Sequence, residues 1–132
     1  MYERPEDYAK YWVGQAIVYY KTLGKDIALA EFSNPNGMFV QGEVYVYVLS
    51  STGVMLAHGV NERFVGLDFS KVVDSDGKPF VKEILDTANT KGSGWESYKW
   101  FHPRRNKELP KLAYFQKVDD LIICSAVYED AD

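Results

Sequence analysis

The sequence predicts an α+β domain built on an antiparallel sheet of five or six strands, packed by a first and a third helix. Three observations carry that expectation. Two helical patterns precede any strand, period-two runs rich in Val, Tyr and Ile follow, and the last three runs are joined by turns too short for a crossover helix. The element order is α-α-β-β-α-β-β-β. A length of 132 residues suits one domain around one sizeable core.

The first helix begins at Pro5, whose missing N–H costs nothing at the first helical position. Glu6 and Asp7 follow, where the helix dipole favours negative charge. Tyr8, Trp12, Ala16, Tyr19 and Leu23 recur at helical spacing and form the expected buried stripe, widened by Val13, Ile17 and Tyr20. Lys21 and Gly24 end it. A short second helix runs from about Lys25 to Ser33, with Ile27, Leu29, Ala30 and Phe32 as its apolar residues. It stops at Asn34-Pro35-Asn36-Gly37.

The period then changes to two. Glu43 to Leu49 alternates valines with Tyr45 and Tyr47, and Ser50 to Gly53 turns the chain into a second strand, Val54 to His58. Residues 59–77 read as irregular, with Asp74-Ser75-Asp76-Gly77 as a turn that caps the third helix. That helix starts at Pro79, buries Phe80, Val81, Ile84, Leu85 and Ala88, and closes at Lys91-Gly92. Strands Gly94–Phe101, Leu109–Val118 and Asp120–Tyr128 complete the chain.

Composition removes several function classes. The hydrophobic fraction of 46% and charged fraction of 26% exclude a disordered or collagen-like chain. A net charge of −4 argues against a general nucleic-acid binder. A lone cysteine, Cys124, forbids an intrachain disulfide and a cysteine zinc site; within an apolar strand it reads as a small buried hydrophobe. No apolar run reaches the ~18 residues of a membrane span. The N-terminal residues lack a signal-peptide hydrophobic region, so the chain is expected to be either cytoplasmic or a portion of something larger. There is no dinucleotide or phosphate-loop glycine motif and no HExxH, and Asp74 to Gly77 lacks the spacing of a calcium loop. No metal or cofactor is expected. Arg104, Arg105 and Lys107 read as a solvated tip between strands.

Aromatic content is the one oddity: 15% of the chain, including ten tyrosines. Most belong to strands and core. The segment Trp95 to Tyr114 differs in kind. Alternation puts Tyr98 and Trp100 on one strand face, and Lys111 lies in the middle of the next strand rather than at a turn. A mid-strand lysine lies either on the solvated face or aims at an anion inside. Two rings, a cation and a tyrosine hydroxyl on adjacent strands would form a small cage, the rings giving shape and the ammonium a charge-assisted hydrogen bond.

From about Phe39 to Tyr128 the chain resembles the single Cache domain, the extracytoplasmic ligand-sensing module of bacterial chemoreceptors and sensor kinases. The resemblance rests on Gly37-Met38-Phe39-Val40 before the Tyr45/Tyr47 strand, on Val54 to His58, on Val65-Gly66 and on Asp74 to Phe80. Its most specific part is Gly94-Trp95, Tyr98-Lys99-Trp100, Pro103, Pro110-Lys111 and Tyr114, followed by the closing strand Asp120 to Tyr128. It implies a PAS-like antiparallel sheet (residues 36–132) behind N-terminal helices (residues 1–35), with a pocket for a short carboxylate such as acetate, propionate, pyruvate or lactate. The pocket candidates it implies are His58, Tyr98, Trp100, Lys111 and Tyr114, joined by Tyr45 and Tyr47. It also implies sensing for chemotaxis or signal transduction without catalysis, an extracytoplasmic location, a homodimer through the first helix, and membrane attachment only through segments outside this chain. Cys124 and Ala126 stand where the family usually carries glycines, which narrows the cavity or shifts its ligand. The alternatives are a cytoplasmic PAS-type cofactor or protein-interaction module, with His58 or His102 as a haem ligand, and a small enzyme using Cys124 or His58.

Overall fold

The computed structural model describes residues 4–129. Its elements are α1 (Pro5–Leu23), α2 (Lys25–Phe32), β1 (Val40–Gln41), β2 (Val44–Ser50), β3 (Met55–His58), α3 (Phe80–Lys91), β4 (Ser93–His102), β5 (Lys107–Val118) and β6 (Leu121–Tyr128), with a 3-10 turn at Glu62–Phe64. The six strands form an antiparallel sheet in the order β1-β2-β6-β5-β4, and β3 pairs with β2. The expected order of helices and strands holds. The two-residue β1 was not anticipated.

The alternation of β2 assigns the two layers. Val46 and Val48 face α1 and α2, where they pack with Phe32, Phe39, Ile123 and Val127. Tyr47 and Leu49 face the other way and pack with Phe80, Ile84, Tyr98 and Phe115 under α3. Strand β6 lies between β2 and β5 and is covered on both faces, with Ile122, Cys124 and Ala126 in the α3 layer and Leu121, Ile123 and Val127 in the α1 layer, and Leu121 to Val127 are all buried. That explains its unbroken apolar run. The stripe of α3 is as read: Phe80, Val81, Ile84, Leu85 and Ala88 are buried.

The stripe of α1 is not. Its buried residues are Ala9, Val13 and Ala16, while Tyr8 and Leu23 are exposed. Small side chains let the helix axis approach the sheet closely. Trp12, Ile17, Tyr19 and Tyr20 pack along its flanks. In α2 the buried residues are Ala28 and Phe32, and Ile27 points outward.

The connection between β3 and α3 is irregular but tied down. One oxygen of Asp74 accepts the N–H groups of Asp76 (2.9 Å) and Lys78 (3.0 Å), and the other accepts the N–H of Lys99 on β4 (3.0 Å). Asp74 thus clips the loop to the sheet edge. It does not cap α3, whose N-terminus has no side-chain cap. The β2–β3 turn needs Gly53: φ is +103°, and a Cβ there would lie 2.9 Å from the Ser70 Cβ.

Candidate functional site

The α3 side of the sheet carries the aromatic residues singled out in the sequence. Tyr45 and Tyr47 come from β2, His58 from the end of β3, Tyr98 and Trp100 from β4, and Lys111 from β5. Register brings them together: Tyr47 pairs with His58, and Tyr98 with Lys111. Tyr114 does not join them. It lies three residues from Lys111, an odd interval that puts it on the opposite face of β5. There it packs in the α1 layer and contacts Trp95.

Two neighbouring spaces share Tyr45, His58 and Trp100 as walls. The inner one, under α3, has a volume of about 20 Å³, room for little more than one water. It is small because aromatic groups fill it. The Tyr47 and Tyr98 hydroxyls meet at 3.0 Å, and the Phe80 ring stacks on Tyr98 at 4.0 Å. Cys124 pairs directly with Tyr47, and Cys124 and Ala126 belong to the same buried layer. The outer space is a cleft of about 660 Å³. Its walls include Tyr45, Phe64, Trp100, Phe101 and Tyr128, with Glu43, His58, His102 and Arg104 among its polar groups.

Lys111 is 1% exposed, which settles the two readings of a mid-strand lysine in favour of the interior. Its Nζ lies 4.6 Å from the Tyr45 ring centroid, 4.8 Å from that of Tyr128 and 3.4 Å from the Tyr45 hydroxyl. The ammonium therefore sits just behind two rings that wall the outer cleft. Among the described residues no carboxylate forms an ion pair with it. Burial drives its pKa down to about 7, opposed by the charge of Glu43. Removing a cation from water is costly, and two ring faces offset only part of that.

His58 is a neutral donor. Its Nδ1 accepts the N–H groups of Val60 (3.2 Å) and Asn61 (2.9 Å), which assigns its proton to Nε2. Burial, with the Lys111 charge adding to it, lowers its pKa to about 4. Burial raises the Tyr45 hydroxyl well above its ordinary value and takes Tyr128 up to about 12. At neutral pH the site thus holds one titrating cation amid neutral donors.

The mouth contains a second cluster. Glu43 accepts from the His102 Nε2 at 2.8 Å and pairs with Arg104. The Arg104 bond holds its carboxyl below the usual range. His102 stacks near Tyr128, with centroids 4.5 Å apart, and the Tyr128 hydroxyl donates to the Phe101 carbonyl at 2.6 Å. Glu43, Phe64, Arg104 and Tyr128 are not among the residues the sequence offered for a site, and His102 was offered only as a haem ligand, not for the carboxylate pocket. Tyr128 and His102 were within reach of one signal, strand parity: Tyr128 pairs with Lys111, and His102 is two residues beyond Trp100. Arg104 is exposed, as a solvated tip should be, with its side chain 79% accessible, and it also pairs with Glu43 at the cleft mouth.

Comparison with known proteins agrees with this architecture. The family model described as single Cache domain 2 matches residues 27–132. A methyl-accepting chemotaxis protein from Vibrio parahaemolyticus superposes with a TM-score of 0.80 at 18% identity, over 95% of this chain and 88% of that one. A Cache chemosensory domain studied as the structural basis for carboxylic acid recognition gives 0.80 at 24% identity, over 94% and 92%. The periplasmic sensor domain of a chemotaxis protein gives 0.72 at 22% identity, over 94% and 90%. These likenesses establish the fold.

Proposed function

Because the chain belongs to the single Cache domain family, a family of sensor modules, we propose that it binds a small organic monocarboxylate and reports the occupancy without catalysis. One observation carries the reading: Lys111, a buried ammonium with rings for neighbours and no ion-paired carboxylate among the described residues. An entering carboxylate supplies the missing counter-charge, and the His58 Nε2–H supplies a second donor. Contact requires the Tyr45 or Tyr128 ring to give way, or the lysine stem to extend between them. That local rearrangement is the kind of two-state element a ligand can bias, by as much as its affinities for the two states differ. Signalling for chemotaxis and an extracytoplasmic location follow as parts of the same proposal.

Thermal-shift measurements with acetate, propionate, pyruvate and lactate test it. A ligand that binds only the folded state stabilises it by roughly 2.7 kcal/mol at a hundredfold excess over Kd. At least one acid should raise Tm while its amide does not. Stabilisation by cations or neutral solutes alone would contradict the reading.

A homodimer through α1 belongs to the proposal too. Tyr8, Tyr11, Val18 and Leu23 are exposed large apolar residues on that helix. Sedimentation should show association that weakens when Val18 is changed to Glu. A strict monomer at high concentration, with and without ligand, contradicts it.

A further inference from the structure

The two spaces are unequal in a way that bears on ligand class. The inner one holds about 20 Å³ and the outer about 660 Å³. The outer volume lies within the ~300–1,000 Å³ typical of sites that enclose a drug-sized molecule. Acetate would leave most of it to water, against walls that are largely aromatic. The inner space cannot take the excess, since the Tyr47–Tyr98 hydroxyl contact and the Phe80 stack occupy it. Any body larger than the acid group must extend outward, past Tyr45 and Trp100 towards Phe64, Phe101 and Val60.

The polar groups at the mouth narrow the class further. A second acid group would need a free cation there. Arg104, the cation lining the mouth, is paired with Glu43, which also accepts from the His102 Nε2, and the Glu43 charge repels an anion.

We propose that the ligand of this domain is a monocarboxylate with an apolar, ring-sized body, which lies in the outer cleft while its carboxylate turns inward to Lys111 and His58. This rests on the carboxylate reading above and adds the chemistry of the rest of the molecule.

Calorimetric titration of the full chain with phenylacetate, acetate, succinate and phenylacetamide tests it. Phenylacetate should bind at least tenfold more tightly than acetate or succinate, and phenylacetamide at least tenfold more weakly than phenylacetate. Val60 lines the cleft and is 55% exposed, so Val60→Asp leaves the core intact while placing a charge against the body of the ligand. It should reduce the phenylacetate-to-acetate preference about tenfold. Acetate or succinate binding as tightly as phenylacetate overturns the proposal and leaves the carboxylate reading standing. Phenylacetamide matching phenylacetate, or no acid binding at all, overturns both. A preference unchanged in Val60→Asp places the body outside this cleft and also overturns the proposal.

Discussion

Replacing Lys111 by Met should stabilise the empty protein at acid pH and lose that advantage in alkali. The folded-state pKa is lowered from 10.5 to about 7, chiefly by burial. At 1.36 kcal/mol per pH unit, keeping the ammonium inside costs about 5 kcal/mol when both states are protonated. That figure already contains the ring contacts at 4.6 and 4.8 Å; what offsets it in the variant is the buried Tyr45 hydroxyl, which loses its 3.4 Å contact with Nζ at a cost of up to about 3 kcal/mol. Methionine keeps most of the stem and a sulfur–ring contact, without the charge. The net gain for Lys111→Met at pH 6 is therefore about 2 kcal/mol, or roughly 5–10 °C in Tm for a domain of this size. The sign with pH follows from linkage. Between about 7 and 10.5 the unfolded chain holds the proton that the folded chain has released, so wild-type stability rises with pH across that window. Roughly 3 kcal/mol of the cost is gone by pH 9.5, enough to cancel or reverse the gap between the two proteins. Urea denaturation of both at pH 6 and 9.5, in carboxylate-free buffers, measures it. A variant less stable than wild type at pH 6, or a gap that does not change with pH, would refute the reasoning.

Two further outcomes follow from the same geometry. Affinity for a carboxylate should fall about tenfold per pH unit above 7, since the bound form is the ammonium, while His58 stays neutral with a pKa of about 4 and Tyr128 stays protonated up to about 12. Titration calorimetry between pH 6 and 9 checks this, and a flat profile in wild type, or a slope that survives in Lys111→Met, contradicts it. Asp74→Ala leaves three backbone N–H groups without their acceptor and releases the loop before α3 from β4. It should cost about 2–4 kcal/mol in denaturant unfolding, and a loss under ~1 kcal/mol would show that the clip contributes little.

The helices and longer strands were legible because their signals are local: period-two alternation for β2 and for Tyr98 and Trp100 of β4, an unbroken apolar run for β6, and the 3.6-residue stripe for α3. Strand β1 has only Val40 and Gln41, too few to show a period. In α1 the large aromatics dominate the pattern while the interface uses Ala9, Val13 and Ala16, because close packing favours small side chains. Tyr114 lies an odd number of residues from Lys111 on one strand, so parity alone separates it from the face that carries Lys111, against what the family likeness implies. Tyr128 needed the β5–β6 register, which the short turn at Asp119-Asp120 sets. The Glu43 contact with Arg104 joins two loops far apart in sequence, so no local pattern announces it. The narrow inner cavity was half visible, in Cys124 and Ala126; the Phe80–Tyr98 stack that completes it was not.

The claim on which the account turns is that Lys111 meets a ligand carboxylate. Calorimetric titration of wild type, Lys111→Met and Lys99→Met, with the acid that stabilises the wild type most, tests it directly. Lys99 is the control: it is one residue from Tyr98 and pairs with Asp76 at 3.1 Å at the sheet edge. Losing a desolvated charged contact weakens binding by ~2–5 kcal/mol, so Lys111→Met should bind at least ~30-fold more weakly at pH 6 while Lys99→Met matches wild type. If Lys111→Met binds as tightly as wild type, the acid is held elsewhere and the site described here is not the sensor's binding site.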